Sequence, residues 1–574
     1  MTMASTLLCT PSGSAEEVNF KILATTDIHG NFYPYNFITL KPADGSLARI
    51  ATKVKSIRDS IGDDNVILLD NGDILQGQPT AYYYNFIDTV SPHLVARMLD
   101  YLSYDAETIG NHDVETGHAV YDRYRSTLAP IPLLAANVID KATGQPYFQP
   151  YTVIERNGVK FAVLGLLTPA IPAWLPENIW KGMAFEDMVE SAAKWVPVIR
   201  EKENPDVLIG LFHSGHDSSR MTGEWRENAS LLVADQVQGF DIIFMGHDHQ
   251  VYNSQSGQRS GEGPLVLNPA NNANNIAETD VMIVKQDGKV VDKKISGRIV
   301  SVNDLQPDSG FIANFEPERR VIEDFVTRKI GEAEGDFSVR DAYFGPSAFM
   351  QLLHDLQLEI ADAEISFAAP LSFDAIIRKG DLLMSDMFTL YKYENMLYTM
   401  AMTGREIKDY LEMSYSLWTS QMQSPEDHLL LFADGAPAKG DYAKLHNPSY
   451  NFDSAAGINY QVDVTKPRGE KITILSMADG TPFDMDRTYR VAINSYRGNG
   501  GGNLLTEGAG IPHDELTSRI IASTDKDLRY YLIKAVEKRG HITPEVTKNW
   551  QFVPFDVVNE AAERDRLLLF PDEK

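Results

Sequence analysis

Short, uniformly apolar runs alternate with amphipathic stretches from Asn19 to about Gly297, and each run breaks into polar residues where it ends. Six of these runs are FKILATTD, NVILLDNGD, DAETIGNHD, FAVLGLLTP, DVLIGLFHSGHD and FDIIFMGHDHQ. A uniformly apolar run is typical of a strand buried on both faces, and its alternation with helices is typical of an α/β domain. We therefore expect the polar residues that end the runs to lie at the carboxyl edge of a sheet, where α/β proteins bind ligands.

The pattern changes beyond about residue 314. The stretch FEPERRVIEDFVTRKIGEAE predicts a charged helix that connects two domains. After it, PSAFMQLLHDLQLEIADAE and TGREIKDYLEMSYSLW predict amphipathic helices, the second capped by Thr403, and YQVDVTK, KITILSM and TYRVAINSY predict strands. For a chain of 574 residues, we expect a first domain over residues 18–314, a linker helix over 315–335 and a second domain over 336–555.

The amino-acid composition limits the classes of molecule that the protein could bind. A hydrophobic content of 43% is ordinary for a globular protein, whereas a formal net charge of -28 argues against a polymeric nucleic-acid partner. A small anionic substrate is still compatible if bound metal ions concentrate positive charge. No apolar run approaches the ~20 residues of a transmembrane helix. The start of the chain, MTMASTLLCTPSGSAEE, lacks a complete signal peptide, and Leu7-Leu8-Cys9 is only a faint lipoprotein-like feature.

Five of the apolar runs end in residue types that bind divalent cations. These are Asp27 with His29, Asp73, Asn111 with His112, His213, and His247 with His249. A single Asp or His after a strand is more often a cap or a hydrogen-bonded polar residue, but the recurrence at five strand ends predicts a shared metal site. Since Cys9 is the one cysteine, the ligands must come from histidines and oxygen donors.

The motif series D-x-H, G-D, G-N-H-D, H and G-H-D-H, in this order, resembles the metallophosphoesterase superfamily in its calcineurin-like form. In the second half, YNFD, GINY and NSYRGNGGG resemble the carboxyl-terminal domain of bacterial 5'-nucleotidases and 2',3'-cyclic-nucleotide 2'-phosphodiesterase/3'-nucleotidases. The resemblance extends from about Phe20 to about Leu532. It implies an N-terminal α/β/β/α metallophosphoesterase sandwich followed by a C-terminal α/β nucleotide-binding domain.

The same resemblance implies two divalent ions, of Zn, Mn, Fe or Co, roughly 3.5 to 4 Å apart. Their charge would lower the pKa of a water molecule and supply a hydroxide that attacks phosphorus. Asp73 would bridge the ions. The resemblance assigns Asp27, His29 and His249 to one ion, and Asn111, His213 and His247 to the other.

His112 would then lie beside the leaving group and give it a proton or a hydrogen bond. Many relatives have an aspartate where this chain has Glu115, and we expect the longer carboxylate still to orient His112; the alternative is that Glu115 only starts a helix. For His216, Asp217 and Asp248, which flank the ligands, indirect or solvent-facing roles are expected.

The resemblance also implies that Tyr393 and Tyr496 hold a nucleobase between their rings. Stacking on aromatic rings tolerates different bases, so we expect broad base specificity. Core packing is the structural alternative for either tyrosine, although Tyr496 precedes a glycine-rich loop where a ligand could approach the backbone. Arg378, Asn494 and Arg497 are further candidates for ribose or phosphate contacts.

Together these features predict a hydrolase of nucleotide phosphate esters with 2',3'-cyclic-nucleotide 2'-phosphodiesterase and 3'-nucleotidase activity. A 5'-nucleotidase or UDP-sugar hydrolase is the first alternative. A catalytically inactive nucleotide-binding surface protein and a metal-dependent nuclease are less favoured. The expected partner is a small nucleotide, the oligomeric state stays open, and the resemblance implies a periplasmic or cell-surface location.

Overall fold

The computed structural model describes residues 15–219, 221–256, 263–286, 289–433 and 445–571. Cys9 lies outside this range. Within the described residues, no helix is both long and apolar enough to cross a membrane. The twelve principal strands of the first domain are β1 Glu16–Thr25, β2 Val66–Asp70, β3 Ala106–Thr108, β4 Leu133–Leu134, β5 Tyr151–Arg156, β6 Val159–Leu167, β7 Val207–His213, β8 Ile242–Met245, β9 Val251–Asn253, β10 Leu265–Pro269, β11 Asn275–Gln286 and β12 Lys289–Ser301.

These strands form two six-stranded sheets. The first has the order β12-β11-β1-β2-β3-β4 and the second has the order β9-β10-β8-β7-β6-β5. In the first sheet β1, β2, β3 and β4 run parallel, and β6, β7, β8 and β10 run parallel in the second. All six apolar runs are therefore strands, and their carboxyl ends lie at one edge of each sheet.

Successive side chains of a strand point to opposite faces of its sheet, so the two sheets have three apolar layers: one between them and one on the outer face of each. Ile22 of β1 packs between the sheets with Phe161 and Ile209. Its neighbour Leu23 packs on the opposite face, in the cluster that contains residues of the helices Leu47–Ile61, Leu94–Tyr101 and His118–Leu128. The outer face of the second sheet is covered by Met188–Glu203 and Ser230–Gln236. The expected α/β/β/α sandwich is confirmed.

The second domain is also mixed α/β. A five-stranded sheet contains, in order, Ser454–Ala456, Ile365–Ala368, Thr488–Asn494, Leu397–Thr403 and Ile520–Ser523. Two three-stranded sheets contain Gly380–Leu383, Lys329–Ala333 and His541–Ile542, and Ile472–Met477, Ile458–Asp463 and Trp550–Val553. The main helices are Ala348–Ala361, Met384–Leu390, Gly404–Trp418, Leu528–Arg539 and Phe555–Leu569. Thr403 caps its helix as predicted, in a capping box with Glu406.

The segment 315–335 contains more than a helix. A helix covers Glu316–Val326, and the strand Lys329–Ala333 then pairs with both of its neighbours in one three-stranded sheet. Close to this connection, the ring of Tyr82 from the first domain lies 5.2 Å from Phe388 and 5.0 Å from the Arg529 guanidinium of the second. The two domains therefore pack against each other beside the connecting segment.

Arg529 is buried where it supports the segment that follows the helix Met384–Leu390. Its guanidinium donates to the carbonyl oxygens of Tyr391 at 2.9 Å and Lys392 at 2.6 Å, and to Glu394 Oε1 at 2.8 Å. Arg529 is fully buried and Glu394 nearly so. Removing one partner of a buried ion pair leaves the other charge without compensation.

We expect Arg529→Ala to lower the free energy of unfolding by about 3 to 5 kcal/mol, because Glu394 loses its partner. Urea denaturation measures this change. Lys534→Ala on the same helix is the matched control, since its side chain is 55% exposed and its ion pair with Glu537 is a surface pair; we expect a loss of about 0.5 kcal/mol or less. Equal effects of the two substitutions would contradict the prediction.

Candidate metal centre and active site

The predicted ligands follow strand ends of both sheets, at sharp turns. Asp27 follows β1, Asp73 follows β2, and His247 follows β8 by two residues, while His213 is the last residue of β7. Five of the seven predicted ligands have left-handed φ angles: Asp27 at 49°, His29 at 49°, Asp73 at 57°, His247 at 73° and His249 at 58°. That conformation costs about 1 to 2 kcal/mol for a residue with a side chain, so these turns are held by surrounding contacts.

Two glycines permit the turns to approach each other. A Cβ atom on Gly110 would lie 2.1 Å from Asp73 Oδ1, and one on Gly246 would lie 2.2 Å from Thr26 Oγ1 and 2.8 Å from Asp27 Oδ2. All three distances are below van der Waals contact. The glycines of the G-N-H-D and G-H-D-H motifs are therefore required by packing around the carboxylates.

The first ligand group contains Asp27, His29 and His249, whose nearest ligand atoms all lie within 4.8 Å of one another. His249 Nε2 lies 3.2 Å from Asp27 Oδ1 and 3.0 Å from His29 Nε2. Burial and the neighbouring His249 hold the pKa of His29 down to about 3, so this imidazole is neutral and offers a lone pair. Burial alone would raise the pKa of Asp27, but His213 and His249 lower it to about 2.

The second group contains Asp73, His213 and His247, again with ligand atoms within 4.8 Å of one another. Asn111 joins it, since its Oδ1 lies 2.8 Å from His247 Nδ1 and 3.1 Å from His213 Nε2. His213 Nε2 also lies 3.1 Å from Asp73 Oδ2. All seven predicted ligands are thus brought into two adjoining groups.

The chemistry of these atoms fits a cation. A bond of 2.6 Å from His213 Nδ1 to the carbonyl oxygen of Asn71 leaves a lone pair on Nε2 when the ring is neutral. That lone pair faces Asp73 Oδ2, which is buried without a hydrogen-bond partner, and Asn111 Oδ1. Burial opposes a charge on His213, yet Asp73 and Asp27 raise its pKa to about 10. Divalent cations that accept nitrogen and oxygen ligands match this need for positive charge.

His112 lies beside the second group without joining it. Its backbone N–H donates to Asp73 Oδ1 at 2.8 Å, and its Nδ1 lies 2.6 Å from Glu115 Oε2. Burial opposes protonation, but Asp73 and Glu115 overcome this and raise the pKa of His112 to about 9. A charged imidazole near the ligand groups is suited to donating a proton to a departing oxygen.

Tyr393 of the second domain reaches this histidine. The two rings are nearly parallel, at an interplanar angle of 10°, with centroids 6.3 Å apart. Two residues further on, Asn395 Nδ2 donates to Glu115 Oε1 at 3.4 Å. The segment that carries Tyr393 therefore contacts both members of the His112–Glu115 pair.

Tyr496 is half-buried and packs against the core of the first domain. A Cβ atom on Gly501 would lie 2.6 Å from the Tyr496 ring, so the glycine-rich loop makes room for this ring. Arg497 is buried and donates to Asp453 Oδ2 at 2.8 Å and to the Gly501 carbonyl oxygen at 2.9 Å. Its guanidinium therefore supports the glycine-rich loop. Asn494 accepts from the backbone N–H of Arg497.

The remaining polar candidates lie further out. Arg378 forms a surface ion pair with Asp336 at 2.8 Å. Asp248 accepts from the side chain of His216 at 2.5 Å and from Asn268 Nδ2 at 2.8 Å. His216, Asp248 and Asn268 support turns near the ligands, and neither they nor Arg378 are members of the two ligand groups.

Several supporting residues were missed from the sequence. Asp113 accepts four backbone N–H groups, those of Asp73, Ile74, Leu75 and Gly110, at 2.8 to 3.0 Å. Gln76 Oε1 lies 3.1 Å from His29 Nδ1, and Glu227 Oε1 lies 3.1 Å from His247 Nε2. The acidic third residue of a helix that begins after Gly110 was the available sign for Asp113, whereas nothing in the sequence indicated Gln76 or Glu227.

Two family models match this chain. The model described as calcineurin-like phosphoesterase matches residues 20–251, and the model described as 5'-nucleotidase, C-terminal domain, matches residues 329–507. The first match ends two residues after His249, so all seven predicted ligands fall inside it.

Curated relatives match along nearly the whole chain. The trifunctional nucleotide phosphoesterase protein YfkN of Bacillus subtilis is 30% identical over 98% of this chain, which spans only 41% of that protein's length. A 2',3'-cyclic-nucleotide 2'-phosphodiesterase/3'-nucleotidase of Yersinia enterocolitica is 26% identical over 99% of this chain and 94% of its own length.

A solved structure from Staphylococcus aureus, named as a candidate 5'-nucleotidase, has the same two-domain fold. It superposes with a TM-score of 0.77 at 20% identity, covering 93% of this chain and 100% of its own. The sandwich and its ligand groups agree with the first family match, and the position of the second domain agrees with the second family match. The chain belongs to the calcineurin-like phosphoesterase superfamily, in the two-domain form that carries a 5'-nucleotidase C-terminal domain.

Proposed function

We propose that this protein is a dinuclear-metal hydrolase of nucleotide phosphate esters, acting as a 2',3'-cyclic-nucleotide 2'-phosphodiesterase and 3'-nucleotidase. The observation that carries the proposal is the pair of adjoining ligand groups, in each of which two buried residues and one more exposed histidine bring ligand atoms within 4.8 Å of one another. Relatives that bear this activity in their names align with nearly their full length, as the Yersinia protein does.

In this proposal Asp27, His29 and His249 would hold one divalent ion, Asn111, His213 and His247 would hold the other, and Asp73 would serve as a ligand shared by the two sites. Zn, Mn, Fe and Co all accept such mixed nitrogen and oxygen ligands. When bound, the two ions would lower the pKa of a water molecule and stabilise the charge that develops on the phosphoryl oxygens.

The chain's own groups would perform the remaining steps. His112, with its pKa raised to about 9, holds a proton for the oxygen that leaves phosphorus. Glu115 accepts from Nδ1 of that ring, so the proton available for transfer is the one on Nε2. The nearly parallel ring of Tyr393 supports a place for the base next to His112, and Tyr496 would contact the other face of the base. Stacking on an aromatic side chain contributes about 1 to 3 kcal/mol per base to binding and is possible for every base.

Some features of the proposal come from the family resemblance. We propose that the segment 315–335 contains, ahead of its strand Lys329–Ala333, a hinge between domains over residues 18–314 and 336–555. We also propose that the protein acts in the periplasm or at the cell surface. The domain contacts at Tyr82 and Phe388 lie next to the proposed hinge, where a rotation would have to be accommodated.

The substrate class is tested by a panel on the metal-loaded protein. We expect 2',3'-cyclic AMP and 3'-AMP to be hydrolysed with higher kcat/KM than 5'-AMP and UDP-glucose. Chelation should abolish the activity, and adding back Mn²⁺, Zn²⁺ or Co²⁺ should restore it, because the ligand groups supply no nucleophile themselves. Preference for 5'-AMP or UDP-glucose would favour the first alternative, and equal rates on long DNA would favour a nuclease.

The role of His112 is tested by His112→Asn. We expect kcat for 3'-AMP to fall by about 10² to 10⁴-fold, the contribution typical of a positioned proton donor. A p-nitrophenyl phosphate ester should lose much less, because p-nitrophenolate leaves without a proton. His118→Asn, a substitution of a surface histidine that pairs with Asp122, is the matched control and should leave both rates unchanged.

Metal content, measured on the same preparations, separates two explanations. If His112→Asn keeps two ions and the two substrates lose rate equally, His112 is not the proton donor. A loss of metal in this variant would instead place His112 among the ligands.

A further inference from the structure

His247 is held at both of its ring nitrogens. Nδ1 lies 2.8 Å from Asn111 Oδ1, on the side of the second ligand group, and Nε2 lies 3.1 Å from Glu227 Oε1. The nitrogen that points away from the ligand group therefore meets a carboxylate. The Glu227 carboxylate can accept a hydrogen bond from this ring only if Nε2 carries a hydrogen, so a neutral His247 keeps its lone pair on Nδ1.

The outward nitrogens of two other ligand histidines meet neutral groups. His213 Nδ1 contacts the carbonyl oxygen of Asn71 at 2.6 Å, and His29 Nδ1 contacts the amide oxygen of Gln76 at 3.1 Å. A carbonyl fixes a tautomer as a carboxylate does, but a carboxylate also adds negative charge. The imidazole of His247 is thus made a stronger electron donor than its partners.

The surroundings of Glu227 hold it in place. The residue is 7% exposed, and its second carboxylate oxygen accepts from Thr222 Oγ1 at 2.7 Å. Its backbone carbonyl oxygen accepts from Thr168 Oγ1 at 2.8 Å and from Ser214 Oγ at 3.0 Å. Both the backbone and the side chain are therefore fixed, directly after the hairpin Met221–Thr222 and Trp225–Arg226.

Packing restrains the ring of His247 independently of Glu227. The Trp174 ring stacks against it, with centroids 5.6 Å apart and an interplanar angle of 29°. Because this stacking keeps the imidazole in place, Glu227 is not needed to hold the ring. Its specific effects are to select the tautomer of His247 and to add a negative charge beside Nε2.

We infer that Glu227 is a positioning residue for the metal centre: it keeps Nδ1 of His247 available and electron-rich, and so tightens the ion held by Asp73, Asn111, His213 and His247. The inference rests on the proposed function, since it needs an ion at that group. Carboxylates behind a metal-bound histidine typically contribute about 10- to 100-fold to metal affinity.

The test compares Glu227→Gln with Glu224→Gln in the full chain. Both substitutions remove one negative charge from the same segment, but Glu224 is exposed on the hairpin. Dissociation constants for Mn²⁺ and Zn²⁺ are measured by chelator competition, together with the urea midpoint of each metal-free variant. We expect Glu227→Gln to lower the affinity for one of the two ions by about 10- to 100-fold. The affinity for the other ion and the urea midpoint should be unchanged. Glu224→Gln should match the parent protein throughout.

Three outcomes are informative. Parent-like affinity for both ions in Glu227→Gln would overturn the inference. Equal weakening of both ions with a lower urea midpoint would assign Glu227 a purely structural role and would overturn it as well. If the parent protein itself bound no divalent ion, the proposed function would fail, and this result is distinct from the other two.

Discussion

Repulsion among buried electron-rich atoms is the constraint on which the first domain depends. Asp27 and Asp73 are completely or almost completely buried, and an imidazole nitrogen lies about 3 Å from a carboxylate oxygen of each. The amide oxygen of Asn111 lies 3.1 Å from the same nitrogen of His213 that faces Asp73. In a low-dielectric site, such an arrangement is unfavourable unless positive charge lies within it. The raised pKa of His213 shows the same demand for positive charge. The proposed divalent ions would supply this positive charge.

The rest of the domain serves to hold these atoms together. Left-handed turns place five ligands, and Asp113 ties the turn after β2 to the start of the helix at Asn111 through four backbone N–H groups. The close approach at Gly110 leaves no space for a side chain. The ligand residues themselves adopt the strained conformations, and the hydrogen bonds and packing around the turns compensate that conformational cost.

The sequence predicted those features that are local. An apolar run indicates that its own strand is buried, so the prediction of six strands, each followed by polar residues, was correct. Thr403 was recognisable as a cap because capping involves residues three apart. The order of the ligand motifs was likewise visible, and the structure brings those seven side chains together.

Features that depend on distant pairing were not predictable. The strand Lys329–Ala333 lies in a stretch predicted as helix, because its partners Gly380–Leu383 and His541–Ile542 are remote in sequence. Glu227 reaches His247 from a segment tied to Thr168 and Ser214, which are remote in sequence. Asn395 reaches Glu115 across the domain boundary. Arg497 resembled a ligand contact, yet its burial against Asp453 is a property of the folded second domain.

Anomalous diffraction from crystals of the Mn²⁺-loaded protein would locate the proposed ions directly. We expect two peaks roughly 3.5 to 4 Å apart, both next to Asp73, one of them also next to Asp27, His29 and His249 and the other next to Asn111, His213 and His247. A single peak, or peaks away from these side chains, would rule out a dinuclear centre at this site.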